Sequence, residues 1–232
     1  MIANEHSLDE LLEPQTFKRE NFTAHLYAPY SIKLHRRVYL YSHQNYDIWV
    51  MLESDPSIST YNERVVKIPI VVNGIKAVNI SPSFISVTHD RSITLHTTIK
   101  DDLVDSESQP TSKLASWFIF CQNNEYKHQN WTADALNADK LKIANFKKLL
   151  RYTSMAGIVE NYKLDNKILF EIGAVRKVIF SKIINQFPLS DCEEVKASIA
   201  RLILSGKVYS DLYLLPFSML TEVSAYHEFS KI

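Results

Sequence analysis

The Asn73-Gly74 pair, set between two apolar β-branched runs at 65–72 and 77–80, constrains this chain more than any other feature. A two-residue hairpin loop needs positive φ at both central positions, and Asn-Gly meets that need at the lowest steric cost. The pair therefore predicts an antiparallel hairpin. Pro69 lies inside its first strand and removes a ladder donor, so that strand sits at an edge or carries a bulge. Residues 84–87 and 92–99 extend the hairpin into an antiparallel meander, with Asp90-Arg91 turning between them.

Helical and extended segments surround the meander. Residues 1–36 read as an arm, with one short turn near 7–12 where Ser7 and Glu10 form a capping box. Residues 37–42 (RVYLYS) have strand composition. Residues 45–53 read as a helix with Ile48, Trp49 and Leu52 on one face, ended by Asp55-Pro56. An acidic loop over 100–112 leads into a helix at 111–123 that carries Leu114, Trp117, Phe118 and Cys121 at helical spacing. A strand at 126–131 and a basic amphipathic helix at 140–152, with Leu141, Ala144, Phe146 and Leu149 toward the apolar side, complete an α/β (α+β) domain over 37–155.

Residues 156–169 read as a linker and 170–224 as a second unit, followed by a tail at 225–232. Its first helix, 170–187, carries Ile172, Val175, Ile179 and Ile183 on one side. Pro188-Leu189-Ser190 turns the chain into a second helix at 191–204, N-capped by Ser190 or Asp191 and closed by Ser205-Gly206. Short strands at 207–209 and 211–215 follow. Helix, turn, helix, Gly, strand, turn, strand is the layout of a winged helix.

Composition narrows the chemistry. Lys+Arg and Asp+Glu number 26 each in 232 residues, so any nucleic-acid face must be local. Basic residues cluster at His35-Arg36-Arg37, over 140–151 and at Arg176-Lys177. Only four glycines are present and none forms a phosphate-cradling run, so no nucleotide is expected. Cys121 and Cys192 stand far apart in apolar helical contexts and read as buried free thiols, as in a reducing cytosol. The eight histidines show no metal-ligand spacing, and no G-x-S-x-G elbow exists. The polar N-terminus lacks a secretion signal and no apolar run reaches bilayer length, so a cytoplasmic protein without a membrane partner is expected.

Four segments together resemble a known family: 41–70 (YSHQNYDIWVMLESDPSISTYNERVVKIPI), Ser81-Pro82-Ser83-Phe84 after the hairpin, the basic LKIANFKKLLRYTS helix, and the closing GKVYSDLYLLPFSMLTEVS. In order of elements, residues 37–220 are similar to the TnsA-type endonuclease subunit of heteromeric, cut-and-paste DNA transposases. The resemblance implies a restriction-endonuclease-like domain followed by a winged helix. It also implies two Mg2+ or Mn2+ ions, hydrolysis at the transposon 5′ ends, and bacterial partners: a transposase catalytic subunit and an ATPase regulator.

The same resemblance exposes what is missing. The family's helix glutamate falls near Asn45, its aspartate at Ser83, and its acidic or polar strand residue at His96 or Thr97, with no lysine after it. Hard divalent cations need carboxylate oxygens, so no metal site and no cofactor are expected here. Asp47, His89, Asp90 and His96 are the side chains that could rebuild one. The sequence therefore points to a degenerate, accessory subunit that binds transposon-end DNA and partner proteins. An active Mg-dependent endonuclease and a DNA-binding regulator of a mobile element are the alternatives. Candidate DNA contacts are Arg36, Arg37, Lys140, Lys142, Lys147, Lys148 and Arg151, although a solvated amphipathic helix accounts for the last five equally well. Lys196 and Arg201 are candidate partner contacts, because Asp191, Glu193 and Glu194 at the same helix start repel phosphate. Glu63 reads as an ion-pair or turn residue, and Trp49, Trp117 and Phe118 as core.

Overall fold

The structure, a computed structural model, describes residues 11–13, 25–72, 76–98, 113–155 and 161–225. The chain divides into two units, Met1–Leu52 with Ser57–Asn137, and Glu53–Pro56 with Ala138–Ile232. The Ser7–Glu10 capping box, the Asn73-Gly74 turn, the acidic loop and most of the tail lie outside the described residues.

The first unit is built on a mixed four-stranded sheet. Its first strands are short: β1 Leu26–Tyr27 pairs with β4 Leu40–Tyr41, and β2 Tyr30–Ser31 with β3 Arg36–Arg37, where the sequence suggested one continuous strand at 37–42. Helix α1, His43–Ser54, follows. The strands Ile58–Asn62 (β5), Phe84–Thr88 (β8) and Ile93–Thr97 (β9) run antiparallel in that spatial order, and Lys127–Asn130 (β10) adds parallel to β9. The parallel step needs a crossover, supplied by α2, Lys113–Asn123. The hairpin strands β6 Ile68–Val72 and β7 Lys76–Ile80 pair antiparallel as Asn73-Gly74 demanded, with Val72 opposite Lys76. They form their own two-stranded sheet instead of joining the meander, and the partner that β8 takes is β5.

Period-two alternation sorts the side chains of β8 and β9. Ile85 and Leu95 enter a core with Leu11, Ile68, Ile70, Ile80, Trp117 and Cys121. Phe118, expected in the core, is 47% exposed instead, one helical step from the buried stripe of α2. On α1 the buried face is Ile48, Trp49, Val50 and Leu52. Trp49 Nε1 donates to Tyr61 Oη at 2.6 Å and Tyr61 Oη donates to Ser31 Oγ at 2.8 Å, which ties the helix to β5 and β2. The short helix α3, Ala133–Ala138, closes the unit.

The second unit starts with α4, Lys140–Met155. Its buried residues are Ile143, Asn145, Phe146, Leu149, Leu150 and Thr153, while Leu141 and Ala144 face solvent, so the apolar stripe is rotated from the one the sequence suggested. Helix α5, Tyr162–Ala174, occupies part of the expected linker, and Asn161 caps it by accepting from Leu164 N at 3.1 Å. The single helix expected at 170–187 is broken. Val175 is extended, β11 Val178–Ile179 intervenes, and α6 is Phe180–Gln186. Helix α7, Cys192–Leu204, is capped by Asp191, whose carboxylate accepts from Glu193 N. Gly206 closes that end at φ +71, where an added Cβ would lie 2.8 Å from Pro56 Cβ. Strands β12 Tyr209–Ser210 and β13 Glu222–Ser224 complete a sheet of order β11-β13-β12. Residues 211–215, expected as a strand, form a turn, with the amides of Leu214 and Leu215 donating to Asp211 O. Cys121 is buried and Cys192, expected to be buried, is exposed.

Candidate functional site

The three strand positions singled out by sequence meet at one end of the β8–β9–β10 sheet. Ser83 precedes β8, and its amide donates to His96 O at 2.8 Å. Across the sheet Phe84 stands opposite His96, which brings Ser83 beside the end of β9, and Ser83 Oγ lies 3.2 Å from Thr98 Oγ1. Asn45 sits in the first turn of α1, where its amide donates to Ser42 Oγ at 3.3 Å, and it belongs to that helix cap.

His96 is 4% exposed and uses both ring nitrogens. Trp131 Nε1 donates to His96 Nδ1 at 3.0 Å, and His96 Nε2 lies 2.8 Å from Ser86 Oγ. An indole N–H can only donate, so Nδ1 is the bare nitrogen and Nε2 carries the proton, which it donates to Ser86. Burial pushes the imidazole pKa down to about 4, with His128 adding to the effect. The ring is neutral and has no lone pair left for a cation.

Thr97 sits on the next position and points to the other side. Its Oγ1 lies 2.8 Å from His128 Nε2 and 3.3 Å from Asn130 Oδ1. His128 is half-buried, with the edges of Trp117 and Phe118 against it at 6.1 and 5.0 Å between ring centroids, and desolvation lowers its pKa. The sequence had not singled out Ser86, His128 or Trp131. The only signal was the strand read at 126–131; its pairing with β9, His128 to Asn130 opposite 95–97, is what brings His128 and Trp131 to the site.

These donors do not fit a Mg2+ or Mn2+ ion. They are hydroxyls and neutral imidazoles already bonded to one another, whereas such ions take anionic oxygens. Among the described residues no three His, Cys, Asp or Glu side chains are gathered as a metal would require. Asp90 cannot supply the missing carboxylate. It lies in the β8–β9 turn, held by Thr88 Oγ1 and Ser92 N, and the length of β8, on the order of 20 Å with its flanks, separates it from Ser83. His89 sits in the same turn and is exposed, and Asp47 is half-buried on α1, two residues beyond Asn45.

The basic candidates fall into both units. Arg36 forms a two-pronged pair with Glu63, Nη1 to Oε1 and Nη2 to Oε2 at 2.7 Å each, and Arg64 adds a third approach at 3.7 Å. Glu63 is thus an ion-pair residue, and Arg36 is engaged in structure; Arg37 beside it is exposed. On α4, Lys140, Lys147, Lys148 and Arg151 lie along one face at helical spacing. Lys142 lies 5.0 Å over the Tyr213 ring, and Lys148 Nζ reaches Phe217 O at 3.4 Å.

The proposed partner contacts are turned inward. Arg201 grips Asp165 of α5 through Nη2 at 2.7 Å and Nε at 3.1 Å, with Ser198 donating to the same carboxylate. Lys196 binds Glu193 at 2.6 Å. Helix α7 is almost wholly buried, from Val195 to Leu204, and packs against α4 and α5. The exposed apolar residues of this unit include Phe170, Leu189, Leu214, Leu215, Met219 and Leu220. No helix among the described residues is long and apolar enough to cross a membrane. No protein-family model matches the chain, and no curated protein matches it.

Proposed function

We propose that this chain is a non-cleaving, TnsA-like accessory subunit of a DNA transposition system, which binds transposon-end DNA and partner transposition proteins. The element order α1-β5-β8-β9-α2-β10 with sheet order β5-β8-β9-β10 supports a restriction-endonuclease-like scaffold. The order α5-β11-α6-α7-β12-β13 with sheet order β11-β13-β12 supports a winged helix later in the chain. The observation that carries the non-cleaving reading is the sheet end itself. Where hydrolysis would need carboxylates and a lysine, Ser83, His96 and Thr97 stand bonded to Thr98, Ser86, Trp131 and His128.

Protein docking is favoured over base reading for the second unit. A helix that reads bases must offer its side chains to a major groove, and α7 is occupied by α4 and α5. DNA affinity is assigned instead to the basic face of α4. Two measurements on the full chain test the reading together. Anisotropy with a duplex of about 30 base pairs should show binding that weakens steeply with salt, with Lys140→Glu/Arg151→Glu losing about tenfold at low salt. Supercoiled plasmid should remain uncut in Mg2+ or Mn2+. Metal-dependent nicking abolished by Asp47→Ala would sink the non-cleaving reading, and salt-independent or absent DNA binding would sink the DNA role.

A further inference from the structure

A cavity of about 380 Å3 lies in the second unit, and every residue lining it belongs to that unit. Its wall is apolar: Phe146 from α4, Ile203 from α7, and Val208, Tyr213 and Leu214 from the segment after it. The size falls in the range of small-molecule pockets, which are apolar with a few placed polar groups.

Two lining residues supply such groups, and one atom of each is unsatisfied. Ser54 and Asp211 are 3% and 8% exposed, and Ser54 Oγ and Asp211 Oδ1 have no hydrogen-bond partner in the protein. Buried polar atoms in native structures are paired as a rule, so each of these two calls for a partner from outside the chain. Both residues line the same cavity, which gives that expectation a location, while the two orphan atoms themselves stay covered. Asp211 adds a sign. Burial raises its pKa and the Glu222 carboxylate adds to the shift, while the amides of Glu222 and Asp211 and the charge of Lys177 oppose it. A buried carboxylate in an apolar wall is matched by a cationic N–H donor.

We propose that this cavity is a binding site for a small amphipathic amine, with the ammonium bonded to the Asp211 carboxylate and Ser54 hydroxyl and the apolar body packed on Phe146, Tyr213 and Leu214. Neither polar atom is solvent-exposed, so the ligand reaches them as the two side chains turn about their χ bonds. Gly206 and Pro56 close one side of the wall in tight contact, since a Cβ on Gly206 would meet Pro56 Cβ at 2.8 Å. The site is independent of the sheet end in the first unit and of any DNA role.

The test uses 2-phenylethylamine as probe on the full chain, with 2-phenylethanol as its uncharged match, read by calorimetry and ligand-observed NMR. The amine should bind one to one and at least tenfold more tightly than the alcohol. Asp211→Asn should remove that preference and Ser54→Ala should weaken amine binding severalfold. Equal binding of the two probes to the wild type would overturn the assignment, since the carboxylate would then take no part. Absence of amine binding at millimolar concentration would overturn it too, and would leave the cavity to water. The amine–alcohol comparison stands even where Asp211→Asn fails to fold.

Discussion

The polar groups at the sheet end of the first unit and those along the cavity of the second are equally buried, yet they have opposite fates. Ser86, His96 and Trp131 satisfy one another in a closed chain of donors and acceptors. Ser54 Oγ and Asp211 Oδ1 satisfy nothing in the protein. The first pattern holds a sheet together and leaves no capacity for a ligand. The second costs folding free energy that a ligand could return. A closed polar network and one with an open valence are told apart by where the hydrogen bonds end.

If the sheet end is closed for structural reasons, breaking it should have the largest effect in the molecule. His96→Ala deletes a buried ring and orphans both Ser86 Oγ and Trp131 Nε1. The cavity and the two unsatisfied groups together should cost about 3–5 kcal/mol, measured by urea unfolding at pH 7. A loss under about 1 kcal/mol would mean the network is dispensable and the comparison is empty.

Acid attacks the same network without a mutation. An unfolded histidine takes up a proton below about 6.5, while buried His96 resists protonation down to about 4. Between those values the unfolded state binds more protons, so stability falls as pH falls, by roughly 3 kcal/mol across the window. The His96 ring signal in NMR should titrate near 4. Titration near 6.5 in the folded protein would show that the ring is not sealed.

A closed polar cluster in the second unit sharpens the contrast with its cavity. Asn145 on α4 is 1% exposed; its Nδ2 donates to Leu212 O and Leu215 O, and its Oδ1 accepts from Phe217 N, all at 2.8 Å. One amide side chain thus replaces three ladder bonds for a segment that forms no strand. Asn145→Ala should cost about 2–4 kcal/mol and raise amide exchange across 211–217 before the rest of the unit. Uniform loss of protection would show instead that the segment and the helices unfold as one.

What the sequence revealed follows from how local each signal is. The hairpin at 68–80, the buried face of α1 and the caps of α7 were legible because turn chemistry, helical period and capping are carried by neighbours in the chain. The strand β5 was not, because Ile58-Ser59-Thr60-Tyr61-Asn62 has strand character only once β8 lies beside it. Phe118 misled because helical spacing gives a stripe but not its width. Asn145 was hidden for a different reason: its three partners lie about 70 residues downstream, and nothing in the LKIANFKKLL run marks the asparagine as buried. At the sheet end, the family resemblance pointed to Ser83, His96 and Thr97 but could not show what they bind. Their partners Ser86, His128 and Trp131 come from three different segments.

The finest test of the comparison is a pair of identical substitutions. Ser86→Ala and Ser54→Ala each remove one buried hydroxyl, with nearly equal change in volume. In the closed network the loss leaves His96 Nε2–H without an acceptor, so Ser86→Ala should destabilise by about 1–2 kcal/mol. At the cavity the hydroxyl has no partner to lose, and its removal relieves a desolvated polar group. Ser54→Ala should therefore be neutral or stabilising by about 0.5 kcal/mol in the absence of added amine. With 2-phenylethylamine present the order should shift, because only the wild type gains from both hydrogen bonds, so the thermal shift caused by the amine should be smaller in Ser54→Ala. Equal destabilisation by the two substitutions without ligand would mean that Ser54 already has a bound water as partner, and the distinction between a closed and an open site would fall.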